Sequence, residues 1–253
     1  MAVIATLQSQ PAHFEKIRDN VSSKEIQGEQ TLTLKRLNYL NNITTALHHD
    51  AAALKQVPEQ NQYLISSPYT TPGHLLDLST LTLLQRLLAQ ALANLQPTDA
   101  HYATTPYEQA FNWSTIISHL RHLHSSLPPS STTPQCWHSQ IFYIVVFRSR
   151  LPPTTDRTLL GAMDERSHAE ANASGGLLKY WFGIPDAEGR NLATCVWRHQ
   201  RDARPAGSGE GHRQAAKATR ELYTEWKIER LALNIEDDGW GGVGGWAIEE
   251  WKD

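Results

Sequence analysis

Cysteine and long apolar segments are scarce in this sequence of 253 residues. Its two cysteines, Cys136 and Cys195, have neither the spacing of metal ligands nor the number that a disulfide framework needs. No run of apolar residues reaches the length that spans a bilayer, and the N-terminus lacks the positively charged region of a signal peptide. The sequence therefore predicts a cytoplasmic protein that makes no contact with a membrane.

An excess of positive charge and the common cofactor motifs are absent as well. Lys and Arg total 23 and Asp and Glu total 26, which gives a net charge of −3 and no indication of nucleic acid as a partner. No P-loop, HExxH or GxSxG motif occurs. The glycine-rich "GWGGVGG" follows a predicted strand but opens no helix, unlike a dinucleotide-binding loop. We expect no cofactor and no metal site.

Residues 1–135 are predicted to form a helical N-terminal extension that ends in a linker. An amphipathic helix is predicted within residues 31–57, and "DLSTLTLLQRLLAQALANLQ" predicts another, with Ser79 or Thr80 as its N-cap and Pro97 after its end. A third helix begins at "FNWSTIISHLRHLH". The prolines and small hydroxyl residues of "SSLPPSSTTPQ" are typical of a linker.

Residues 136–253 are predicted to form a separate α+β domain. "IFYIVVFRSRL" indicates a buried strand, and the next segment indicates a helix that Thr155 or Asp156 caps and that ends at Gly175 and Gly176. "LLKYWFGIPDAEGRNLATCVWR" contains two strands around a turn, a second helix starts near His212, and "KIERLALNIED" is a further strand. The order β-α-β-β-α-β is typical of the ferredoxin-like fold.

This order places both helices on one face of the sheet, so that something else must cover the other face. Bulky residues of "FYIVVF" and "LATCVW" would otherwise be exposed to water. Two sheets packed face to face about a two-fold axis would form a dimeric α+β barrel. The N-terminal helices would cover the same face in a monomer. We expect the homodimer, and the second arrangement remains open.

From about residue 142 onward the sequence resembles a family of uncharacterised fungal proteins. The resemblance is carried by "FYIVVFRSRLPPTTDRTLLGAMDERSHAEANASGGLLKYWFGIPDAEGRNLATCVWRHQRDA" and "YTEWKIERLAL", and "DLSTLTLLQRLLAQAL" and "YEQAFNWS" extend it to about residue 70. "ATCVWRHQRDARPAGSGEGHRQA" also resembles dimeric α+β barrel proteins, the antibiotic-biosynthesis monooxygenases and polyketide cyclases of the olivetolic acid cyclase type. In such cyclases the histidine at this turn is the base, which implies that role for His212.

A second candidate base lies on the first helix of the α+β domain. Leu160, Asp164, His168 and Asn172 recur every four residues, so they lie along one line of that helix. If this line is buried, Asp164 would orient the imidazole of His168 as a base near neutral pH. The alternative is that these residues form the polar side of an amphipathic helix. His168 and His212 would serve one pocket as acid and base, although a barrel interior lies on the opposite face.

Aromatic strand residues are predicted to line a cavity for a flat, apolar small molecule. Period-two alternation places Leu178, Tyr180 and Phe182 on one face of their strand and Lys179 and Trp181 on the other. The predicted substrate-binding residues are Tyr143, Phe147, Asn172, Tyr180, Trp181, Trp197 and Arg198. The arginines that would hold a carboxylate or enolate at the rim are Arg148, Arg198 and Arg230. The alternative is that the aromatic side chains only fill an interface between sheets.

These features favour a cofactor-independent small-molecule enzyme of the cyclase, isomerase or lyase type. Its substrate would be a polyketide-like or other aromatic-sized natural product, and its catalytic residues His168, His212 and Asp164. The alternatives are a cofactor-less monooxygenase, a haem protein with His168 as axial ligand, and a non-catalytic stress-related or scaffold dimer. An enzyme should show a closed cavity that contains at least one histidine, whereas a scaffold should be packed solid between its sheets.

Overall fold

A computed structural model of the protein describes residues 62–128 and 135–252. The helix predicted within residues 31–57 and most of the predicted linker lie outside the described residues. None of the described helices combines the length and the apolar character that crossing a bilayer requires.

Residues 62–128 form two short strands and three helices. Their bounds are β1 Tyr63–Leu64, β2 Leu76–Asp77, α1 Leu83–Leu92, α2 Tyr107–Ala110 and α3 Trp113–Ser125, with 3₁₀ turns at Pro72–His74 and Leu78–Thr80. The N-cap of α1 is Thr82, whose side chain and that of Gln85 bind each other's backbone N–H in a capping box. The predicted caps, Ser79 and Thr80, belong instead to the preceding 3₁₀ turn, because Asp77 accepts the backbone N–H of Ser79.

Residues 140–250 form five strands and three helices. Their bounds are β3 Gln140–Arg150, α4 Arg157–Ser174, β4 Leu177–Phe182, β5 Arg190–Trp197, α5 Gln200–Ala206, α6 Glu210–Leu222, β6 Glu225–Asp237 and β7 Val243–Glu250. The strand order is β4-β5-β3-β6-β7, and every neighbouring pair is antiparallel. The first four strands have the ferredoxin-like order, so the predicted α+β fold class is confirmed. β7 is a fifth strand beyond the predicted β-α-β-β-α-β order, and it begins within the glycine-rich "GWGGVGG".

Helix α4 begins and ends where its sequence predicts. Asp156 is the N-cap, since its carboxylate accepts the backbone N–H of Thr158 and of Leu159. At the other end Gly175 has φ +83°, a conformation that favours glycine, and stops the helix. These two boundaries fix which residues of α4 face the sheet. The candidate residues Asp164 and His168 are on that side and are buried.

Each face of the five-stranded sheet is covered by helices of the same chain. One face carries Tyr143, Phe147 and Trp197, which pack with Ala171 of α4 and Ala206 of α5. The other face belongs to a core that it shares with the N-terminal helices: Leu88, Leu92, Trp113, Ile116, Ile117 and Leu120 pack with Phe142, Ile144, Val146, Leu192, Val196 and Leu233. Exposing side chains of this size would cost about 2 kcal/mol each.

Of the two arrangements that the sequence left open, coverage by the N-terminal helices is the one observed. The expectation of a homodimer rested on a bare sheet face, and that face is filled from within the chain. That reason for expecting a dimeric barrel is therefore wrong, and the homodimer itself stays a prediction. The domain boundary at residues 135/136 stays a prediction, and side chains from both sides of it share one core.

Strand β4 departs from simple alternation. The register with β5 shifts between Leu177 and Lys179, so Leu178 packs in the core beneath the N-terminal helices while Tyr180 and Phe182 face α4. The expectation that Leu178 shares a face with Tyr180 is wrong, because a β-bulge reverses the alternation at this point. Lys179 does lie on the face opposite Tyr180, where its Nζ donates to the carbonyl oxygen of Ala93 at 3.3 Å.

Candidate functional site

A cavity of about 580 Å³ lies between the sheet and the segment that joins α5 to α6. Its sheet side is mainly apolar and comprises Tyr143, Val145, Phe147, Cys195, Trp197, Ile228 and Arg230. Its helix side is mixed and comprises Gln200, Ala203, Arg204, Ala206, Gly207, Ser208 and His212. A flat molecule would therefore lie with one face on an aromatic surface and a polar edge toward the helices.

Strand pairing explains why the sheet side of the cavity is continuous. Tyr143, Val145 and Phe147 alternate along β3, so their side chains leave the same face. Directly across on β5, Trp197 pairs with Tyr143 and Cys195 pairs with Val145. On the other side β6 places Arg230 opposite Val145 and Ile228 opposite Phe147. Side chains from three neighbouring strands thus form one surface at the centre of the sheet.

His212 enters the cavity from the first turn of α6. The carboxylate of Glu170, on α4, accepts the backbone N–H of Gly211 at 2.7 Å and of His212 at 3.2 Å. Glu170 thereby occupies backbone donors that no earlier turn of the helix can satisfy. The same carboxylate lies 3.7 Å from Nδ1 of the His212 side chain, at ion-pair distance. Helix α4 thus fixes both the start of α6 and the surroundings of its histidine.

The imidazole of His212 is neutral at physiological pH. Its side chain is buried, and burial lowers its pKa from 6.5 to about 4, a shift that the nearby Glu170 carboxylate partly opposes. A neutral imidazole has a lone pair that accepts a proton, as a general base requires. The imidazolium that results would be stabilised by Glu170.

Asp164 lies in a second buried cluster, which we call the tyrosine–histidine cluster and which comprises Tyr69, His74, Asp164, His168 and Tyr180. One carboxylate oxygen of Asp164 accepts the hydroxyl of Tyr69 at 2.5 Å, and the other accepts the hydroxyl of Tyr180 at 2.6 Å. Burial, followed by the Asp164 charge, raises the pKa of both tyrosines. Both hydroxyls therefore keep their protons and donate to the carboxylate.

His168 pairs with a residue that precedes it by 94 positions. Its Nδ1 lies 2.7 Å from Nδ1 of His74, so one imidazole donates and the other accepts. The opposite nitrogen, Nε2 of His168, is buried and has no hydrogen-bond partner among the described residues. Burial, and then the charge of His74, lowers the pKa of His168 to about 3. His168 and His74 therefore form a neutral pair between α4 and the 3₁₀ turn at Pro72–His74.

The structure brings some of the sequence-predicted site residues together and separates others. His212, Tyr143, Phe147 and Trp197 line the cavity, whereas Asp164, His168 and Tyr180 belong to the tyrosine–histidine cluster. Of the two candidate bases, this cavity is lined by His212 and not by His168.

Three further predicted contacts lie outside the lining of the cavity. Trp181 is on the opposite face of the sheet, where it packs edge-on against Tyr102 and Phe111. The side-chain nitrogen of Asn172 donates to the carbonyl oxygens of Gly73 and Leu75 and holds the 3₁₀ turn. The guanidinium of Arg198 pairs with Asp202 at 2.8 Å. All three side chains thus contact other residues of the chain, outside the cavity.

Only one of the three predicted rim arginines lines the cavity. Arg148 is on the other face of the sheet, where its guanidinium pairs with Glu229 at 3.0 Å and donates to the carbonyl oxygens of Ala103 and Thr105. Arg198 is held by Asp202 as described above. Arg230 does lie at the cavity, and Arg204 of α5 joins it there.

Several residues of the two sites had no counterpart among the predicted site residues. Gln200, Ala203 and Arg204 lie on α5. The sequence predicted the start of the helix near His212 and therefore a loop for this segment, which contains Pro205. The i, i+3, i+4 spacing of these three is a helical signal that was available in the sequence. Tyr69 and His74 contact α4 only in the folded chain. No local sequence pattern identifies them as site residues.

Metal-ligating residues do not cluster in this part of the chain. Among residues 62–128 and 135–252 there is no group of three or more His, Cys, Asp and Glu side chains that would hold a metal ion.

The buried histidines predict that the protein loses stability as the pH falls below 6.5. An unfolded histidine binds a proton near pH 6.5, whereas folded His168 and His212 do so only at about 3 and about 4. Between pH 6.5 and 4 the unfolded state thus binds more protons, and the free energy of unfolding falls by about 1.4 kcal/mol per pH unit for each fully unprotonated histidine. Urea denaturation between about pH 7.5 and pH 5, above the range where carboxylates titrate, measures this slope. The variant His168→Gln should show a shallower slope, and equal slopes would contradict the assignment.

Comparisons with known proteins support a relationship across both halves of the described chain. The model of the family described as PB2B2.08-like matches residues 65–250. The UPF0643 protein PB2B2.08 of Schizosaccharomyces pombe is 41% identical over 189 residues, which make up 70% of this chain and 81% of that protein. The match includes the N-terminal helices as well as the sheet.

Solved structures are similar over a smaller part of the chain. Rv0793 from Mycobacterium tuberculosis is 15% identical with a TM-score of 0.32, covering 36% of this chain and 92% of that one. SnoaB, a cofactor-independent oxygenase from Streptomyces nogalater, is 16% identical with a TM-score of 0.30, covering 36% of this chain and 90% of that one.

Proposed function

We propose that this chain, which belongs to the PB2B2.08-like family, is a small-molecule enzyme in which His212 removes a proton from a flat, apolar carbonyl compound. The observation that carries the proposal is a neutral, buried imidazole in the wall of an aromatic-lined cavity of about 580 Å³. From the sequence, the expected mark of an enzyme is a closed cavity with a histidine. This cavity contains His212 but is open to solvent at Ile228, so it supports the proposal by its lining.

The size and lining of the cavity support a substrate of aromatic size. Ligand pockets commonly have volumes of about 300–1,000 Å³ and an apolar lining with a few polar groups. Here Tyr143, Phe147 and Trp197 form the apolar surface, and the polar groups lie mainly on the helix side. A planar natural product, such as a polyketide-like compound with two or three rings, matches this division.

The chemistry proposed for His212 is proton transfer from carbon. The neutral imidazole takes a hydrogen from the carbon beside the carbonyl, the C–H electrons form the enolate, and the proton remains on the ring as an imidazolium. Glu170 stabilises this cation from 3.7 Å. Return of the proton to a different atom completes an isomerisation. In a cyclisation the enolate carbon attacks a second carbonyl within the substrate, a C–C bond forms, and the resulting alkoxide takes the proton back from the imidazolium. Both outcomes balance without a cofactor.

The proposal predicts that the protein catalyses hydrogen–deuterium exchange of a flat ketone. 2-Tetralone is a bicyclic ketone with acidic hydrogens beside its carbonyl, and 2-naphthol has the shape of its enol. In D₂O, proton NMR should show exchange of 2-tetralone well above the buffer rate, and 2-naphthol should inhibit it. Binding of 2-naphthol should also quench tryptophan fluorescence through Trp197, which lines the cavity.

Matched tryptophan variants locate the bound ligand. Trp197→Phe should lose most of the quenching, whereas Trp246→Phe should retain it, because Trp246 packs in the core on the opposite face of the sheet. Exchange at the buffer rate together with no binding of 2-naphthol would refute the proposed function. Quenching that persists in Trp197→Phe would place the ligand elsewhere and refute this site.

A further inference from the structure

Two arginines at the cavity have no acidic partner in the part of the chain that the structure describes. Arg230 of β6 has no described carboxylate within 4.0 Å, the side chain of Arg204 contacts the amide oxygen of Gln200 at 3.2 Å, and both arginines are exposed. Neighbouring arginines differ, since Arg148 is paired with Glu229 and Arg198 with Asp202. The cavity therefore holds guanidinium groups that are available to a ligand.

The lining of the cavity is positively charged. Arg204 and Arg230 are cations, His212 is neutral, and the described lining contains no Asp or Glu. Glu170, whose carboxylate lies 3.7 Å from Nδ1 of His212, accepts the backbone N–H groups of Gly211 and His212. A neutral ligand would leave this positive charge uncompensated, whereas an anion would complement it.

The two arginines approach the cavity from different walls. Arg230 extends from the sheet beside Val145, its partner on β3, and Arg204 extends from α5. The aromatic surface of Tyr143 and Phe147 lies on the sheet side. If a planar ring packed on this surface, a charged group on the ring would lie near Arg230 and Arg204. Guanidinium groups bind carboxylates through two parallel hydrogen bonds.

We infer that the ligand of this cavity is a flat, aromatic-sized carboxylic acid, whose carboxylate binds Arg230 and Arg204. This inference rests on the proposed function, because it takes the same cavity as the binding site, and it adds the charge of the substrate. The ring of the acid would bind the aromatic surface, and His212 would act on a carbon of the same molecule.

A pair of probes with the same shape and different charge tests the inference. 2-Naphthoate and 2-naphthamide have the same fused rings, and at neutral pH only the first is an anion. Isothermal titration calorimetry of the full chain at low ionic strength should give about tenfold tighter binding of the naphthoate, as one charge-assisted pair provides. The preference should fall as sodium chloride is added, because Arg204 and Arg230 are exposed and salt screens exposed charges.

Three variants assign the preference to particular residues. Arg230→Gln and Arg204→Gln should each reduce the preference for naphthoate at least about threefold, with little change in the binding of naphthamide. Arg201→Gln is the matched control, since Arg201 lies exposed on α5 and does not line the cavity. Circular dichroism confirms that each variant is folded.

The outcomes separate this inference from the proposed function. If both probes bind equally and the Arg230 and Arg204 variants resemble the control, the substrate is not an acid, although the cavity still binds flat molecules. If neither probe binds, both this inference and the proposed cavity fail. Loss of naphthamide binding in the arginine variants would show that these side chains shape the cavity instead of recognising charge, which also overturns the inference.

Discussion

Replacement of His212 by alanine is expected to slow the exchange of 2-tetralone at least about 100-fold while the protein stays folded. The imidazole is the neutral base of the cavity, since burial lowers its pKa to about 4. Alanine has no group that accepts a proton, and no Asp or Glu is among the described residues that line the cavity. Proton NMR in D₂O measures the rate, and the melting temperature confirms the fold.

Three further variants make this expectation specific to His212. His212→Gln keeps a polar side chain of similar length without a basic nitrogen, so its rate should be as low as that of the alanine variant. His122→Ala, an exposed histidine of α3, should leave the rate unchanged. His168→Gln should keep most of the activity at pH 7.5, because His168 lies in the tyrosine–histidine cluster and outside the lining of the cavity. Full activity of His212→Gln would remove this residue from the mechanism.

The sequence could predict half of the cavity because half of it depends on strand alternation. Tyr143 and Phe147 alternate on β3, and Trp197 shares a face with Cys195 on β5, so period-two spacing was enough to place them together. His212 was identified through the resemblance of the turn before α6 to polyketide cyclases, and not from a local pattern. Arg204 was missed because α5 contains Pro205 and leads into glycines, and such a composition is typical of a loop.

The tyrosine–histidine cluster could not be predicted in full, because it depends on contacts that are distant in sequence. The four-residue spacing of Asp164 and His168 correctly indicated one line of α4, and this line is buried. Their partners lie much earlier in the sequence: Tyr69 precedes Asp164 by 95 positions, and His74 precedes His168 by 94. No local pattern connects the two segments, so the pairing of the histidines required the folded structure.

The cover of the sheet was the largest open question of the sequence. Strand order fixes that α4, α5 and α6 lie on one face, but it does not say whether a second chain or the N-terminal helices cover the other. The hydrophobic spacing of α1 and α3 shows that each has an apolar side, and such a side fits the sheet of its own chain as well as that of a partner. The choice between the chain's own helices and a partner depends on how well the helix surfaces fit the sheet and on whether the connecting segments can reach it. The spacing of hydrophobic residues encodes neither property.

Replacement of Ile117 by aspartate is expected to unfold the sheet as well as the helix that carries it. Ile117 is fully buried on α3 in the core that includes Ile144 and Leu192. A carboxylate without a partner in such a core costs several kcal/mol, on the order of the whole stability of a domain. Because the helices and the sheet share this core, both should unfold, on either side of the predicted boundary at residues 135/136.

Hydrogen exchange followed by mass spectrometry distinguishes one cooperative core from a separate helical extension. With a shared core, peptides of β3 and β5 should lose protection in Ile117→Asp to the same extent as peptides of α3. The matched control is Ser118→Asp, which adds the same charge one residue along, at an exposed position of α3, and should leave all protection in place. Ile117→Ala, at a cost of about 2–5 kcal/mol, provides a folded variant in which helix and sheet should lose stability together. If β3 and β5 stayed fully protected while α3 was unfolded, the sheet would be stable without the N-terminal helices. The boundary at residues 135/136 would then separate two independent domains.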